Sequence, residues 1–469
     1  MLNPCVAGFI HARNVREHAE FSNGRLKHRS YTLLPIPPLR REGPPLPTLT
    51  PAEARALDAV DSDAIVSDLL ELLAVPSVGG ADAEADIQQV LSKRLDRLGM
   101  DVDLWQLDLP TLSATPGFPG VEVDRTEAWG LVGTRPGASD RPALVLQGHV
   151  DVVPAGDRAK WRSDPFEPSV VGGRVHGRGA CDMKAGVVAN LAAMSAIARS
   201  GVRLRDGVAL HLVVGEEDGG LGAFGTLARG HSGDACIITE PTSGTLITAA
   251  AGALTFTLEV EGRATHASTP YAGASAIDAY LAIHWALAEL QAERNAVVEP
   301  LMREYPVPYP LVIGRLRAGD WSSSVPDLLV ADGRLGLRIE EDPAAARRQL
   351  EAKVAEVSAQ DPFLRDHPPV VRWSGGQFAG GHLPAVHPLR ELVQDAHGDV
   401  TGEPPLRERG APYGSDLRLY AAGGIPTLHY GPGDVRLAHG PDESVEVDEI
   451  VRVTETLVLA MLRSCGTLD

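Results

Sequence analysis

Four short apolar segments of this chain are each followed by histidine or acidic residues. They begin at Ala143, Val208, Cys236 and Leu428, and they lead to His149 with Asp151, to Glu216 with Glu217, to Glu240 and to His439. Because helical patterns separate these segments, we interpret them as buried strands of an α/β fold, in a mostly parallel sheet with helices on both faces. Ligands bind beyond the carboxyl ends of such strands, so we expect these side chains to meet at one edge of the sheet.

A further carboxylate, Asp182, lies in a stretch rich in glycine and alanine, just before a helical pattern at residues 187–199. An Asp in this position is usually a helix N-cap. Together with the two histidines and the glutamates above, however, it makes a set of ligands that suits zinc, cobalt or manganese. One carboxylate between two cations can hold them about 3.5–4 Å apart, the spacing of two-metal hydrolytic sites.

The residue types alone leave several roles open. Residues i and i+2 of an extended strand share a face, so Asp151 can accept the ring N–H of His149 and fix its tautomer. Of Glu216 and Glu217, one can coordinate a metal while the other stays free as a general base. Taken singly, each of these residues is more often an ordinary core or surface side chain, and only their shared position at strand ends favours a site.

The 469-residue chain is long enough for one large domain and a smaller one. Residues 1–50 are basic and rich in proline, and we expect a poorly ordered extension there. Residues 51–249 and 374–469 carry the alternation of strands and helices and are predicted to form a catalytic domain. Residues 250–373, here called the insert, read strand, helix, strand, strand, helix, strand, which is typical of an α+β domain inserted into the larger one.

Composition narrows the classes of partner. The formal charge of −19 argues against nucleic acid and anionic membranes, which require clusters of Lys and Arg. The four cysteines form no C-x-x-C pair, we count no apolar run near the roughly 20 residues of a membrane span, and the start of the chain has no signal-peptide pattern. We therefore expect a cytoplasmic protein that binds neither nucleic acid nor membranes.

Five motifs, in this order, resemble those of the M20 family of di-zinc metallopeptidases and deacylases. That family includes acetylornithine deacetylase, succinyl-diaminopimelate desuccinylase, aminoacylase and glutamate carboxypeptidase. The motifs are residues 148–154 (GHVDVVP), 177–186 (GRGACDMKAG), 215–218 (GEED), 239–242 (TEPT) and 431–443 (GPGDVRLAHGPDE). The resemblance runs from about residue 52 to the C-terminus and implies a zinc-exopeptidase-like fold.

The same resemblance implies roles for the clustered residues. One zinc would be held by His149, Asp182 and Glu240, and the other by Asp182, Glu217 and His439. Asp182 would then bridge the two ions, for which Co²⁺ or Mn²⁺ are possible substitutes. Glu216 would be the general acid and base, Asp151 would orient His149, and the peptide bond after Asp182 would be cis.

For the insert, the resemblance implies a lid that also forms a homodimer. His266 would enter the active site of the partner subunit and help to stabilise the oxyanion, and Arg338 would bind a substrate carboxylate. Ser323 lies where the family often has Asn, so this substrate contact is expected to differ here. Gly414, in a Gly-Ser-Asp sequence, resembles the substrate-side loop of the catalytic domain.

The predicted reaction is metal-dependent hydrolysis of an amide, with a metal-activated water as nucleophile and Glu216 carrying its proton to the leaving amine. The favoured substrate is a small N-acyl amino acid or related N-acyl amine with a short acyl group, because Glu240 resembles the deacylases more than the relatives with Asp at this position. A dipeptidase or carboxypeptidase is the alternative. A non-catalytic metal-binding relative is less consistent with the free base that Glu216 would provide.

Overall fold

The structure is a computed structural model, and it describes residues 49–468. The extension predicted at residues 1–50 lies outside this range except for its last two positions. The helices are α1 (Pro51–Asp58), α2 (Ser62–Leu73), α3 (Ala83–Arg97), α4 (Leu109–Ala114), α5 (Ala185–Ser200), α6 (Leu221–Ala228), α7 (Ala276–Arg294), α8 (Pro343–Ser358), α9 (Pro362–Asp366), α10 (Pro388–Thr401), α11 (Leu417–Ala422) and α12 (Val447–Cys465).

The strands are β1 (Asp101–Gln106), β2 (Trp129–Arg135), β3 (Leu144–His149), β4 (Ser169–Val171), β5 (Arg174–His176), β6 (Val208–Val213), β7 (Cys236–Ile238), β8 (Leu246–Ala250), β9 (Gly252–Glu261), β10 (Leu311–Ala318), β11 (Leu328–Leu337), β12 (Val370–Phe378), β13 (Gly381–His382), β14 (Glu408–Ala411), β15 (Thr427–His429) and β16 (Ser444–Glu446). The four apolar segments singled out in the sequence correspond to β3, β6, β7 and β15.

Nine strands form the central sheet, in the order β1-β2-β6-β3-β7-β15-β8-β13, with β14 also paired to β8. The middle of this sheet, β6-β3-β7-β15, is parallel. Antiparallel pairs lie towards both edges. The predicted α/β fold around a mostly parallel sheet is confirmed, and its parallel part carries the ends that matter for the site.

The central strands bury side chains on both faces of the sheet. Leu144 and Leu146 of β3 belong to a large core that includes residues of α2, α5, α10 and α12. Val145, between them, belongs to a separate core with residues of α6 and α11. Because successive side chains of a strand point to opposite faces, this alternation places helices on both sides of the sheet.

A second sheet is formed by β10-β11-β9-β12, and all its pairs are antiparallel. Helices α7 and α8 pack on it around a core of its own, which includes Phe256, Ile283 and Leu350. All of these elements lie between residues 252 and 378. A third, small sheet is formed by β16-β5-β4. The division of the chain into a catalytic domain and an insert remains a prediction.

One segment within residues 49–468 is long and apolar enough to cross a membrane by length and composition, Ala180–Ser200, with a mean hydropathy of 1.2. The prediction that no such run exists overlooked it, because Asp182 and Lys184 interrupt a stretch that qualifies through its many alanines. However, 83% of its apolar window is buried inside the protein. Such burial is typical of a core helix, and α5 contributes much of the main core.

Candidate metal centre

The carboxylate of Asp182 lies between two histidines at the carboxyl edge of the central sheet. Its Oδ1 is 3.1 Å from His149 Nε2, and its Oδ2 is 3.3 Å from His439 Nε2. Each histidine also faces a glutamate: His149 Nε2 is 3.7 Å from Glu240 Oε1, and His439 Nε2 is 3.1 Å from Glu217 Oε1. One carboxylate therefore directs an oxygen to each of two His–Glu pairs.

These side chains fit divalent cations. His149, Glu216 and Glu240 are buried, and Asp182 and Glu217 are largely so. Burial raises the pKa of Glu240 well above its usual range. Four carboxylates with only two histidines carry an excess of negative charge that is costly to bury unless cations neutralise it. Histidine nitrogens and carboxylate oxygens are also the ligands that Zn²⁺ accepts.

Hydrogen bonds keep the central groups charged. Burial would raise the pKa of Asp182, but the hydrogen bonds from His149 and His439 hold it well below the usual value. The pKa of His439 is raised to about 11 by its hydrogen bonds to Asp182 and Glu217. Cations at the same positions would favour the ionised carboxylate for the same electrostatic reason.

The backbone around Asp182 is held by Glu443, a fully buried carboxylate for which the sequence motif suggested no role. It accepts the backbone N–H groups of Cys181 and Asp182 at 2.8 and 2.9 Å. It also pairs with Arg178 Nη1 at 2.5 Å. Asp182 is not a helix N-cap, because α5 begins at Ala185, and the peptide bond between Asp182 and Met183 is cis, as the resemblance implies.

Gly186 explains part of the small-residue composition around Asp182. A Cβ atom at this position would lie 2.1 Å from the backbone oxygen of Thr239. Only glycine therefore lets the start of α5 approach the end of β7. This close approach brings the loop of Asp182 beside Glu240, which follows Thr239 in the chain.

The carboxylate of Asp151 has a different partner from the one expected. The Nδ1 of His149 lies 2.9 Å from the backbone oxygen of Asp151 and 3.6 Å from its carboxylate. A carbonyl oxygen can only accept, so Nδ1 donates to it, and Nε2 is the ring nitrogen that faces Asp182. The carboxylate instead accepts the backbone N–H groups of Glu216 and Glu217, at 3.3 and 3.1 Å. Asp151 thus connects His149 to the loop that follows β6.

Glu216 lies beside the cluster without a partner of its own. It has an oxygen within 4.8 Å of ligand atoms of His149 and Glu240. Its carboxylate accepts no hydrogen bond from the part of the chain that the structure describes. Burial raises its pKa well above the usual range, and the carboxylate of Asp416 raises it further. Asp416 is itself fully buried and accepts a hydrogen bond from Gln147 Nε2 at 2.9 Å, a contact the sequence did not indicate.

A cavity of about 640 Å³ opens onto these groups. Asp182, Glu216, Glu217, Glu240 and His439 all line it, together with Gly414 from the loop after β14. The opposite wall is formed by the second sheet, which contributes side chains from β9, β10, β11 and β12. The cavity therefore lies between the central sheet and the second sheet.

Three predicted residues of the insert do not line this cavity. The Arg338 guanidinium donates to the backbone oxygen of Arg294 at 2.9 Å. His266 is exposed, with Nδ1 2.7 Å from Ser268 Oγ, and the backbone oxygen of Ser323 accepts a hydrogen bond from the neighbouring Ala267. His266 and Ser323 therefore lie together on adjacent loops of the insert, away from the cavity of their own chain.

Another arginine, Arg334, lines the cavity instead of Arg338. Burial lowers the pKa of its guanidinium, against the opposing effect of the carboxylates of Glu122 and Glu216. Within residues 49–468 this guanidinium makes no hydrogen bond or ion pair. Arg334 and Arg338 are four residues apart and so share a face by strand periodicity. Arg334 lies within β11, however, whereas Arg338 lies just beyond its last residue.

The sequence was compared with families and with individual proteins. The model of the peptidase family M20/M25/M40 matches residues 145–463. The chain is 34% identical over 395 residues to a succinyl-diaminopimelate desuccinylase of Leptothrix cholodnii, covering 80% of this chain and 92% of the relative. It is 28% identical over 403 residues to the N-formyl-4-amino-5-aminomethyl-2-methylpyrimidine deformylase of Halalkalibacterium halodurans, covering 81% and 89%.

Solved structures show the same fold. The M20 family metallo-carboxypeptidase Sso-CP2 of Sulfolobus solfataricus superposes with a TM-score of 0.69 at 15% identity, covering 85% of this chain and 99% of the other. The dipeptidase Dug1p of Saccharomyces cerevisiae superposes with a TM-score of 0.70 at 14% identity, covering 89% and 99%. At these identities the likeness concerns the fold alone.

Proposed function

Because the chain belongs to peptidase family M20/M25/M40 and is a metal-dependent amide hydrolase, we propose that it binds two zinc ions. We further propose that it removes a short acyl group from an N-acyl amino acid or related N-acyl amine. The observation that carries the proposal is the orientation of Asp182, whose two carboxylate oxygens face different His–Glu pairs. His149 and Glu240 would hold one ion with Asp182, and Glu217 and His439 would hold the other.

When bound, two zinc ions supply Lewis acidity that lowers the pKa of a water and polarises the amide carbonyl. Glu216 is a carboxylate of the site that accepts no hydrogen bond within residues 49–468, and it would take the proton of the attacking water. The same carboxyl then donates that proton to the departing amine nitrogen as the C–N bond breaks. The raised pKa of Glu216 suits this second step, because the group must also be stable in its protonated form.

The backbone contacts of the site keep these groups in place during the reaction. Asp151 holds the amides of Glu216 and Glu217, so the base and the neighbouring ligand move together. Glu443 holds the amide of Asp182. Such supporting contacts orient ligands and commonly affect metal affinity and rate.

The experiment that tests the proposed function is a hydrolysis panel on the zinc-loaded protein, following release of free amine. The panel contains N-acetyl, N-formyl and N-succinyl amino acids, an N-formyl aminomethylpyrimidine and unmodified dipeptides. Release from at least one N-acyl compound, well above its release from dipeptides, is the expected result. Cleavage of dipeptides alone would replace the proposal with the dipeptidase alternative, for which solved relatives of the same fold offer a precedent.

Arg334 gives a specific expectation about the charge of the substrate. The desuccinylase relative is named for a succinyl group, which carries a carboxylate. The deformylase relative is named for an N-formyl aminopyrimidine, whose formyl group carries none. A guanidinium in the cavity that makes no hydrogen bond within residues 49–468 favours a carboxylate of the substrate. If the preferred substrate is anionic, Arg334→Met is expected to raise KM by about 10- to 100-fold, as loss of a charge-assisted hydrogen bond implies.

The matched control for this substitution is Arg317→Met. Arg317 is an exposed arginine that lies two strand positions from Arg315, which lines the cavity. It is expected to leave KM unchanged. For an uncharged N-formyl substrate, Arg334→Met is expected to change KM by less than about threefold. An unchanged KM for the best anionic substrate would exclude Arg334 from substrate binding.

We also propose a homodimer formed through the insert. Ile277, Leu281 and Trp285 are exposed and lie four residues apart on α7, so they form one apolar stripe. The neighbouring strand β10 lies at the edge of the second sheet and exposes Leu316 beside Leu281 of α7. An apolar helix stripe beside an open sheet edge favours burial against a second copy of the same surface.

The dimer and the role of His266 can be tested by mixing two inactive variants. His266→Ala lacks the oxyanion donor, and Glu216→Gln lacks the base. If His266 of the partner subunit serves each site, exchange of subunits creates one complete site in each mixed dimer, and about one quarter of normal activity should return. No recovery, in a mixture shown to exchange subunits, would mean that His266 does not act across a dimer.

A further inference from the structure

A segment of residues 119–125, here called the strap, lies between the loop of Glu216 and Glu217 and the second sheet. It belongs to the connection from α4 to β2. On one side, the backbone oxygen of Pro119 accepts a hydrogen bond from Gln377 of β12 at 2.9 Å. Glu122 accepts from the hydroxyl of Thr255, on β9, at 2.9 Å. These contacts fasten the strap to the cavity wall that the second sheet provides.

On its other side, the strap is joined to Asp218, the residue directly after Glu216 and Glu217. Asp218 Oδ2 accepts the backbone N–H groups of Glu122 and Val123, both at 3.1 Å. The contact is close, because a Cβ atom at Gly219 would lie 2.1 Å from the backbone oxygen of Gly120. The strap therefore packs directly on the loop that carries the proposed base and one proposed metal ligand.

Arg125 lies at the centre of these contacts. Its guanidinium donates to both oxygens of Asp218, at 2.8 and 3.0 Å, and to both oxygens of Glu84 in the first turn of α3, at 2.8 and 3.1 Å. The side chains of Arg125 and Glu84 are only 2% and 4% exposed. A buried guanidinium that forms two bidentate pairs fixes both the distance and the orientation of the two carboxylates.

We propose that Arg125 is a positioning residue for the loop of Glu216 and Glu217. By binding Asp218 and Glu84 to the strap, it holds this loop against α3 and the second sheet. This inference rests on the proposed function only in assigning metal binding to Glu217. Neither Glu84 nor Arg125 touches a proposed metal ligand, so their effect passes through Asp218. Small displacements of a metal ligand or base have large effects on the reaction rate, because the reacting groups must be held in a narrow range of geometries.

The test is a titration of the metal-free protein with Co²⁺, followed by its visible absorption, which does not depend on turnover. For Arg125→Met, we expect the affinity of the site that includes Glu217 to fall by about 10- to 100-fold. The affinity of the site of His149 and Glu240 should stay within about twofold. In kinetic assays, kcat is expected to fall more than KM rises, because the base and ligand are displaced rather than the substrate wall.

Arg125→Met leaves two buried carboxylates without a cation, so a second variant guards against a failure to fold. Arg125→Lys keeps the positive charge but cannot pair with both carboxylates bidentately, and it should show the same loss of affinity to a smaller degree. The matched control is Arg463→Met. Arg463 also joins two carboxylates, Glu53 and Asp399, but none of these three residues lines the cavity. This control should lose stability and keep both Co²⁺ affinities.

Unchanged Co²⁺ affinities in folded Arg125→Lys would overturn the proposal. An equal loss at both metal sites, or the same loss in Arg463→Met, would also overturn it, because either result would indicate general loosening of the protein. If the unaltered protein hydrolyses none of the panel compounds, the proposed function fails, while the Co²⁺ titration still decides the role of Arg125.

Discussion

Glu216→Gln is expected to retain both metals and to lose about 10²–10⁴-fold in kcat, the range in which a general base contributes to catalysis. Glutamine has nearly the same shape as glutamate, so the packing around position 216 should be preserved. It cannot accept the proton of a water or deliver one to the leaving amine. The expected loss therefore falls on the chemical step, with little change in KM.

The structural reason is the isolation of the Glu216 carboxylate. It lies within 4.8 Å of ligand atoms of His149 and Glu240, and no hydrogen bond from residues 49–468 engages it. Its neighbour Glu217 is 3.1 Å from His439 and is thus directed towards the other His–Glu pair. Because the two adjacent glutamates have different contacts, we expect their substitution to have different effects.

The matched control is therefore Glu217→Gln, the same chemical change one residue along the chain. It should weaken metal binding, which Glu216→Gln should not. Metal content by elemental analysis and steady-state kinetics on the same preparations separate the two effects. Turnover of Glu216→Gln close to that of the unaltered protein would remove this residue from its proposed role.

Asp182→Ala is expected to lose most of both metals, and with them the activity. Its two oxygens face His149 and His439, so a single substitution removes a ligand from both proposed ions. It also leaves two cations close together without the shared anion that offsets their repulsion. No other proposed ligand faces both histidines, so no other single substitution should reduce both occupancies to this extent.

The measurement is metal content after gel filtration in buffer with low micromolar zinc. Asp434→Ala is the control, because this carboxylate lies on the same loop as His439 but pairs with Arg436. It should retain the metal content of the unaltered protein. Two full equivalents of zinc in Asp182→Ala would show that Asp182 does not bridge the ions.

The parts of the structure that the sequence predicted well have a local pattern. Strands β3, β6, β7 and β15 are short apolar runs. His149, Glu216 and Glu240 lie at or just after the ends of the first three, whereas His439 lies in the longer loop that follows β15. Because parallel strands end at the same edge, their order in the sheet did not have to be known for the cluster to be expected. That Asp182 joins this cluster was predicted from its sequence motif. Its position in the chain alone fits a helix cap equally well.

The parts that the sequence missed depend on contacts between distant segments. Arg125 pairs with Glu84 and Asp218, which lie 41 and 93 positions away. No periodicity marks such a pairing. No sequence motif marked Arg334, which lines the cavity, whereas Arg338 lies just beyond the end of β11 and does not line it. For Asp151, the strand geometry correctly placed the residue beside His149 but could not tell its carboxylate from its backbone oxygen.

The most direct test of a two-metal amide hydrolase is a zinc titration of hydrolysis. The protein is first stripped with a chelator, and the best substrate of the panel is then followed as zinc is added back in known equivalents. We expect no hydrolysis without metal and a rate that rises until two equivalents of zinc per chain are bound. Full hydrolysis by the stripped protein, or a rate that reaches its maximum at one equivalent, would contradict it.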